Sequence, residues 1–373
     1  MKTTRTFLRT MLGIALPLSV LLACSADNGT PSGGGIGGVG VTVGPIAGFG
    51  SIVVNGVHMD IEGASVDLDG QPGDDTDPHR SLKMGMVVVV KGDFSSDGLT
   101  GVAHSVEFRD NLQGPVDPNG VDVPNSRLMV LGQTVIVNAG THIEDHDGNP
   151  LTLADIREGN VVEVSGLPQA DGSILATRIE WTADAFDPNT MTIELKGTIT
   201  NLDSQSSTFT IGGLLVDFGL AQIKDAPGGG LADGLFVEVK SQAAPSGTPL
   251  TLIASEVEVK SRLCDSLGHE GDHVEIEGFV TDFSSIDQPF LVNGVSVLTT
   301  ATTRYEDGTS GDVMNGVRLE VEGSLDADGV LAAVKVEFED SDEHGEDSGE
   351  HGEDSSDHSG DDGGDDHSAP SSP

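Results

Sequence analysis

A block of roughly 75 residues recurs four times along the chain, and this period limits the possible folds more than any other feature. Taking Gly85, Gly159, Gly234 and Gly316 as equivalent, successive copies lie 74, 75 and 82 residues apart. Solenoid rungs repeat every 20–50 residues or so, so each of these longer blocks reads as a small domain with its own core. The second copy runs Gly159-Asn160-Val161-Val162-Glu163-Val164-Ser165-Gly166 and then Asp171-Gly172-Ser173-Ile174-Leu175-Ala176-Thr177-Arg178-Ile179-Glu180. The fourth is nearly the same, from Asn315-Gly316 to Gly323 and from Asp328-Gly329 to Glu337. The first keeps Gly85 to Gly92 and the Asp97-Gly98 turn, whereas the third keeps Asp233 to Lys240 but has no Asp-Gly turn in Ser241 to Thr248.

These runs are alternating or continuously apolar and β-branched, as in a strand with one or both faces buried. Upstream, Asn55-Gly56, Gly212-Gly213 and Asn293-Gly294 separate β-rich segments. Such pairs supply the positive φ that two-residue type I′ hairpins require. The matching stretch of the second copy is Leu128 to Val137, and no segment holds helical apolar spacing for three turns. The expected fold is all-β: four tandem small antiparallel β-barrel (OB-like) units, closed so that no edge is left for a neighbour to pair with. A short open sandwich is the alternative. The boundaries read 44–110, 111–182, 192–260 and 273–338, with a linker at 261–272 and a disordered acidic C-terminal tail at 339–373.

The strand ending in Asn-Gly-Val, the Thr-led steps Thr141-His142-Ile143 and Thr303-Arg304-Tyr305, the Leu-x-x-Gly-x-x-Val-x-Val-x-Gly core and the Asp-Gly-x-Leu-x-Ala-x-x-Ile-Glu close resemble the bacterial repeat family DUF5666. The resemblance covers about residues 44–338. It implies a secreted protein or lipoprotein and brings no activity to any particular residue.

Residues 1–23 read as a signal peptide of the lipoprotein type, with Lys2, Arg5 and Arg9 before an apolar run from Met11 that ends in Leu21-Leu22-Ala23-Cys24. That run is too short to span a bilayer. Its end resembles the bacterial lipobox, in which the cysteine is lipidated and becomes the first mature residue. Cys24 is therefore the lipidation candidate, because only a thiol forms the thioether to diacylglycerol. Several acyl chains anchor stably where one binds marginally, so the resemblance implies a partnership with the membrane. Ser25 in place of Asp implies the outer membrane, with the body periplasmic or surface-facing. Residues 24–43 read as a Gly-rich tether. With Cys24 acylated, Cys264 is the only free thiol and no intrachain disulfide forms.

The chain carries 18 Lys+Arg against 61 Asp+Glu, a formal charge of −43. Such a field repels phosphate backbones, and one Trp with one Tyr offers little base stacking, so nucleic acid is excluded as a partner. The tail has 14 acids and no Lys or Arg, with His344, His351 and His358 seven residues apart and His367 beyond. Imidazoles suit Zn²⁺ and clustered carboxylates suit Ca²⁺. Two readings stand for it: a solvated repulsive tail, or weak Ca²⁺ or Zn²⁺ capture.

Cys264, His269 and His273 have Cys-x4-His-x3-His spacing that can present three ligands to one metal, yet no fourth is evident. A polar linker with a free thiol is the other reading. The acidic loops 67–77 and 144–150 miss the EF-hand template: the second has Pro150 in place of its glycine and Ile156 in place of its bidentate acid. Turn chemistry competes there with weak Ca²⁺ binding. No G-x-S-x-G, H-E-x-x-H, P-loop or dinucleotide fingerprint is present, so no catalytic residue or cofactor is expected. The expected role is structural or interaction-mediating at the cell envelope, with an envelope protein as partner. A divalent-cation binding module is the alternative.

Overall fold

A computed structural model describes residues 39–73, 78–96, 98–260 and 267–339. The first repeat forms β1 (Val39–Pro45), β2 (Ile52–Val54), β3 (Val57–Asp60), β4 (Ser65–Leu68), β5 (Gln71–Pro72), one helical turn α1 (Pro78–Ser81), β6 (Val87–Phe94) and β7 (Thr100–Phe108). The second forms β8 (Leu112–Asp122), β9 (Arg127–Val130), β10 (Gln133–Ile136), β11 (His142–Asp145), β12 (Val161–Pro168) and β13 (Ile174–Ala183). The third forms β14 (Ile193–Thr198), β15 (Thr200–Asp203), β16 (Thr208–Ile211), β17 (Leu214–Asp217), β18 (Gln222–Lys224), β19 (Phe236–Ser241), β20 (Thr251–Ile253) and β21 (Glu256–Val259). The fourth forms β22 (His273–Thr281), β23 (Phe290–Val292), β24 (Val295–Leu298), β25 (Arg304–Glu306), β26 (Arg318–Leu325) and β27 (Leu331–Phe338). Among the described residues no helix is long and apolar enough to cross a membrane.

All four repeats share one connectivity. The first strand runs antiparallel to the fourth, as in β8–β12 and β22–β26. The fourth makes a hairpin with the fifth, and the third, in two pieces, lies parallel to the fifth: β10 and β11 on β13, β24 and β25 on β27. The second pairs with the third and closes back on the first. In the first repeat that closure is the Gly48–Val53 bridge. The order 1-2-3-5-4-1 is that of a five-stranded OB-type barrel. Inward side chains such as Val162, Val164 and Ile179, or Val321 and Val336, are fully buried.

One glycine in each of three repeats has a direct steric cause. Gly92, Gly166 and Gly323 sit at β-bulges in the fourth strand. A Cβ there would run into the carbonyl oxygens of Val102, Leu175 and Ala332 across the hairpin. The third repeat has Ser241 at the end of this strand, and its hydroxyl donates to the carbonyls of Ala243 and Ile253. Its fifth strand is accordingly broken into β20 and β21, with a longer connection where the others have an Asp-Gly turn. The hairpin turns follow the sequence at Asn55-Gly56 and Asn293-Gly294, where both residues have positive φ. The second repeat uses Leu131-Gly132 in the same conformation, and Leu131 is fully buried despite a φ of 51°.

Two segments differ from the compositional reading. β1 starts at Val39, inside the stretch assigned to the tether, because Val41 and Val43 enter the cores. Leu267, in the stretch assigned to the linker, is buried in the fourth core, and Gly271 N–H donates to the Leu325 carbonyl.

The barrels are not separate beads. The second strand is short and covers only the later part of the first, which leaves an unpaired edge at the beginning of each first strand. These edges pair with one another: β1 with β22 in parallel, from Gly40↔His273 to Val43↔Ile276, and β8 with β14 antiparallel through Leu112↔Leu195 and Gln113↔Glu194. The first repeat thus joins the fourth, and the second joins the third. The two pairs meet where Leu167, Leu175 and Phe279 pack with Val87 and Ile136. There the Ser165 hydroxyl accepts from Val87 N–H at 2.9 Å, and the Thr177 hydroxyl donates to the Gly85 carbonyl at 2.5 Å.

Replacing the bulge glycine is expected to destabilise the protein where an open-loop glycine does not. Gly323→Ala should lower the unfolding free energy by about 1–3 kcal/mol through overpacking. Gly228→Ala, with nothing near its Cβ position, should leave it unchanged. Urea titration of both variants checks the contrast.

Candidate functional site

Strand alternation in β14 sends Ile193 and Leu195 into the third barrel and leaves Glu194 and Lys196 pointing out. Because β14 pairs with β8, that outward face meets the other barrels instead of water. Lys196 is only 6% exposed. Its ammonium lies 2.5 Å from Asp110 Oδ1, 2.6 Å from Asp69 Oδ1 and 3.8 Å from Glu238 Oε1. Asp69 belongs to the β4–β5 turn and Asp110 to the junction of the first two barrels, so this lysine joins three repeats. Burial works against its charge, but the Asp110 and Asp69 carboxylates prevail and hold the ammonium above the ordinary lysine range. Burial pushes Asp110 up to about 6 and Glu194 up to about 7. Asp69 and Glu238 are held below the usual range: burial acts against this, but Lys196 prevails at Asp69 and Lys260, with Lys196 and Lys240, at Glu238.

Carboxylate oxygens of Asp69, Glu194 and Glu238 converge within 4.8 Å of one another, close enough to hold a cation. Three ammonium groups already sit on them: Lys196 on Asp69 at 2.6 Å, Lys240 on Glu194 at 3.0 Å and Lys260 on Glu238 at 2.9 Å. The chemistry of the cluster is therefore that of a buried ion-pair network spanning the barrels.

A second buried charge lies on the outer face of β13. Arg178 is 2% exposed and donates through Nη2 to Glu180 at 2.6 Å, with Glu144 at 2.9 Å. Its Nε and Nη1 have no hydrogen-bond partner. Glu163, cross-strand from Glu180, is pushed up to about 8 by burial and then by the Asp110 and Glu180 charges. In the fourth barrel Glu275 is pushed up to about 9 by burial and by the nearby Glu320 and Glu322.

Beside Lys196 the four barrels border a cavity of about 630 Å³ that opens to solvent. Every repeat contributes to its wall, through Val87, Ile174, Lys196, Phe236, Phe279 and Leu291 among others.

Sequence reasoning pointed elsewhere. Cys24, Cys264, His344, His351, His358 and His367 lie outside the described residues. His269 sits in a turn, its N–H bonded to Asp272 Oδ2, and His273 starts β22 with its ring edge-on to Phe94. Among the described residues neither belongs to a trio of converging metal-binding side chains. The loop at 144–150 uses its acid for its own turn: Asp145 Oδ1 accepts from the N–H groups of Asp147 and Asn149. Likewise Asp67 Oδ1 accepts from Gly70 N–H. Ser51 with His58 at 3.2 Å and His104 with Asp93 at 2.9 Å form two separate exposed pairs. Asp69, Asp110, Lys196 and Glu238 were not legible as a cluster, since outward charges such as Lys196 and Glu238 on alternating strands look like any solvated face, and Asp69 and Asp110 read as turn and linker acids.

Four stretches of the chain, 41–107, 113–180, 196–258 and 277–337, match the family described as "Domain of unknown function (DUF5666)". Each lies on one barrel. Among curated proteins no match is found.

Lys196→Met should cost about 3–5 kcal/mol, because it strands buried carboxylates that the ammonium had paired; denaturant unfolding measures the loss. The raised carboxyls favour a neutral form in the fold. The stability they contribute is full below about pH 4.5 and falls away as pH rises through about 8 for Glu163 and about 9 for Glu275. Thermal midpoints should therefore drop from neutral to alkaline pH. Glu275→Gln should raise the midpoint at alkaline pH and leave it near the parent's at acid pH; an unchanged pH slope would contradict this assignment.

Proposed function

The chain belongs to the DUF5666 family, and from that premise we propose that it is a lipid-anchored cell-envelope protein of structural or interaction-mediating role. The observation that carries the reading is the joining of four barrels into one body, by strand pairing between first strands and by charges that satisfy one another internally. A body of that kind suits a spacer or docking unit. The lipobox-like Leu21-Leu22-Ala23-Cys24 and the Gly-rich stretch after it support a tethered display of the barrels from a membrane. Cation capture is the alternative. Its support is the histidine and carboxylate content of residues 339–373 and not the converging carboxylates of the body, which lysines already hold.

The full chain expressed with its N-terminus should incorporate a clickable fatty-acid label and sediment with membranes, and Cys24→Ala should lose both. Wild-type protein that stays unlabelled and soluble would refute the anchor. Tight saturable Ca²⁺ or Zn²⁺ binding by calorimetry on the same chain would favour the alternative role.

A further inference from the structure

The cavity between the barrels has no part in the scaffold reading, and it has the properties of a small-molecule site. Its volume of about 630 Å³ falls within the roughly 300–1,000 Å³ of clefts that hold drug-sized ligands. Its walls carry Val87, Ile174, Phe236, Phe279 and Leu291, drawn from all four repeats. No single barrel contains it, so it exists only because the first strands pair. The formal charges that line it are largely matched: Arg109 pairs with Glu107, and Lys196 with Asp110 at 2.5 Å. The charge left over is the exposed Asp282. An anionic ligand would meet an acidic body and no free cation among these groups, while an uncharged apolar one would cover aromatic and aliphatic wall without breaking an ion pair.

We propose that the junction of the four barrels binds an uncharged, largely apolar small molecule, held against Phe236, Phe279 and Leu291 and taken up only by the assembled four-repeat body. Thr198 is exposed and Thr281 half-buried on the lining, so side chains there can be enlarged into the cavity without entering a barrel core. Leu220, 89% exposed, is not part of the lining and serves as the control position.

The test titrates the full chain with the neutral dye N-phenyl-1-naphthylamine and follows its fluorescence. One saturable site per chain is expected, and 8-anilino-1-naphthalenesulfonate, its anionic counterpart, should bind more weakly. Thr198→Trp and Thr281→Trp, made singly and together, should each weaken the neutral dye at least about tenfold, which is about 1.4 kcal/mol, while Leu220→Trp leaves it unchanged. Thermal melts report whether each variant is folded, and a single variant that melts like the parent decides the matter if the double one does not. Absence of saturable binding, unchanged affinity in the folded lining variants, or preference for the anionic dye would each overturn the proposal.

Discussion

The uncovered start of each first strand is the feature on which the rest of the structure depends. A five-stranded barrel with a short second strand cannot seal its first strand along its whole length. An exposed edge presents unpaired N–H and C=O groups and is satisfied by pairing with another strand. Here the edges of β1 and β22 satisfy each other, as do those of β8 and β14. Two barrels adjacent in sequence form one pair, and the first and last barrels of the repeat array form the other. The chain thereby returns on itself, and a linear array of domains becomes one packed body.

Burial of charge follows from that packing. The outward positions of the first, fourth and fifth strands carry Glu and Lys, which suits a solvated barrel. Once the barrels meet, Lys196, Asp110 and Glu238 leave water together. A buried charge is tolerated when it is paired and costly when it is not, so these positions form a network and not an acidic surface. Arg178 is buried apart from that network and is incompletely satisfied, with Nε and Nη1 unpaired while Glu144 and Glu180 hold Nη2. The same packing that buries the network leaves the space beside it unfilled, because four convex barrels cannot tile a volume without a gap.

The third repeat shows how the shared frame tolerates change. Ser241 ends its fourth strand, and the hydroxyl bonds to the Ala243 and Ile253 carbonyls around a broken fifth strand. Its strand order survives because β14, β19 and β21 keep the alternation that fills the core with Leu195, Val237, Val239 and Val257.

The sequence alone determined the repeat, the all-β class, the barrel units and most of their turns. Those depend on local properties: period-2 alternation, Asp-Gly and Asn-Gly pairs, and the recurring bulge glycine in the fourth strand. It also placed the lipobox-like Cys24 and the His-rich tail, neither of which lies within the described residues. Which barrel meets which, where Lys196 finds Asp69 and Asp110, and that a cavity lies among the four were decided by tertiary structure. Asp69 and Lys196 are 127 residues apart, and nothing in the alternation of β14 tells a charge facing water from one facing another barrel. That distinction arises only when the open edges of the first strands choose their partners.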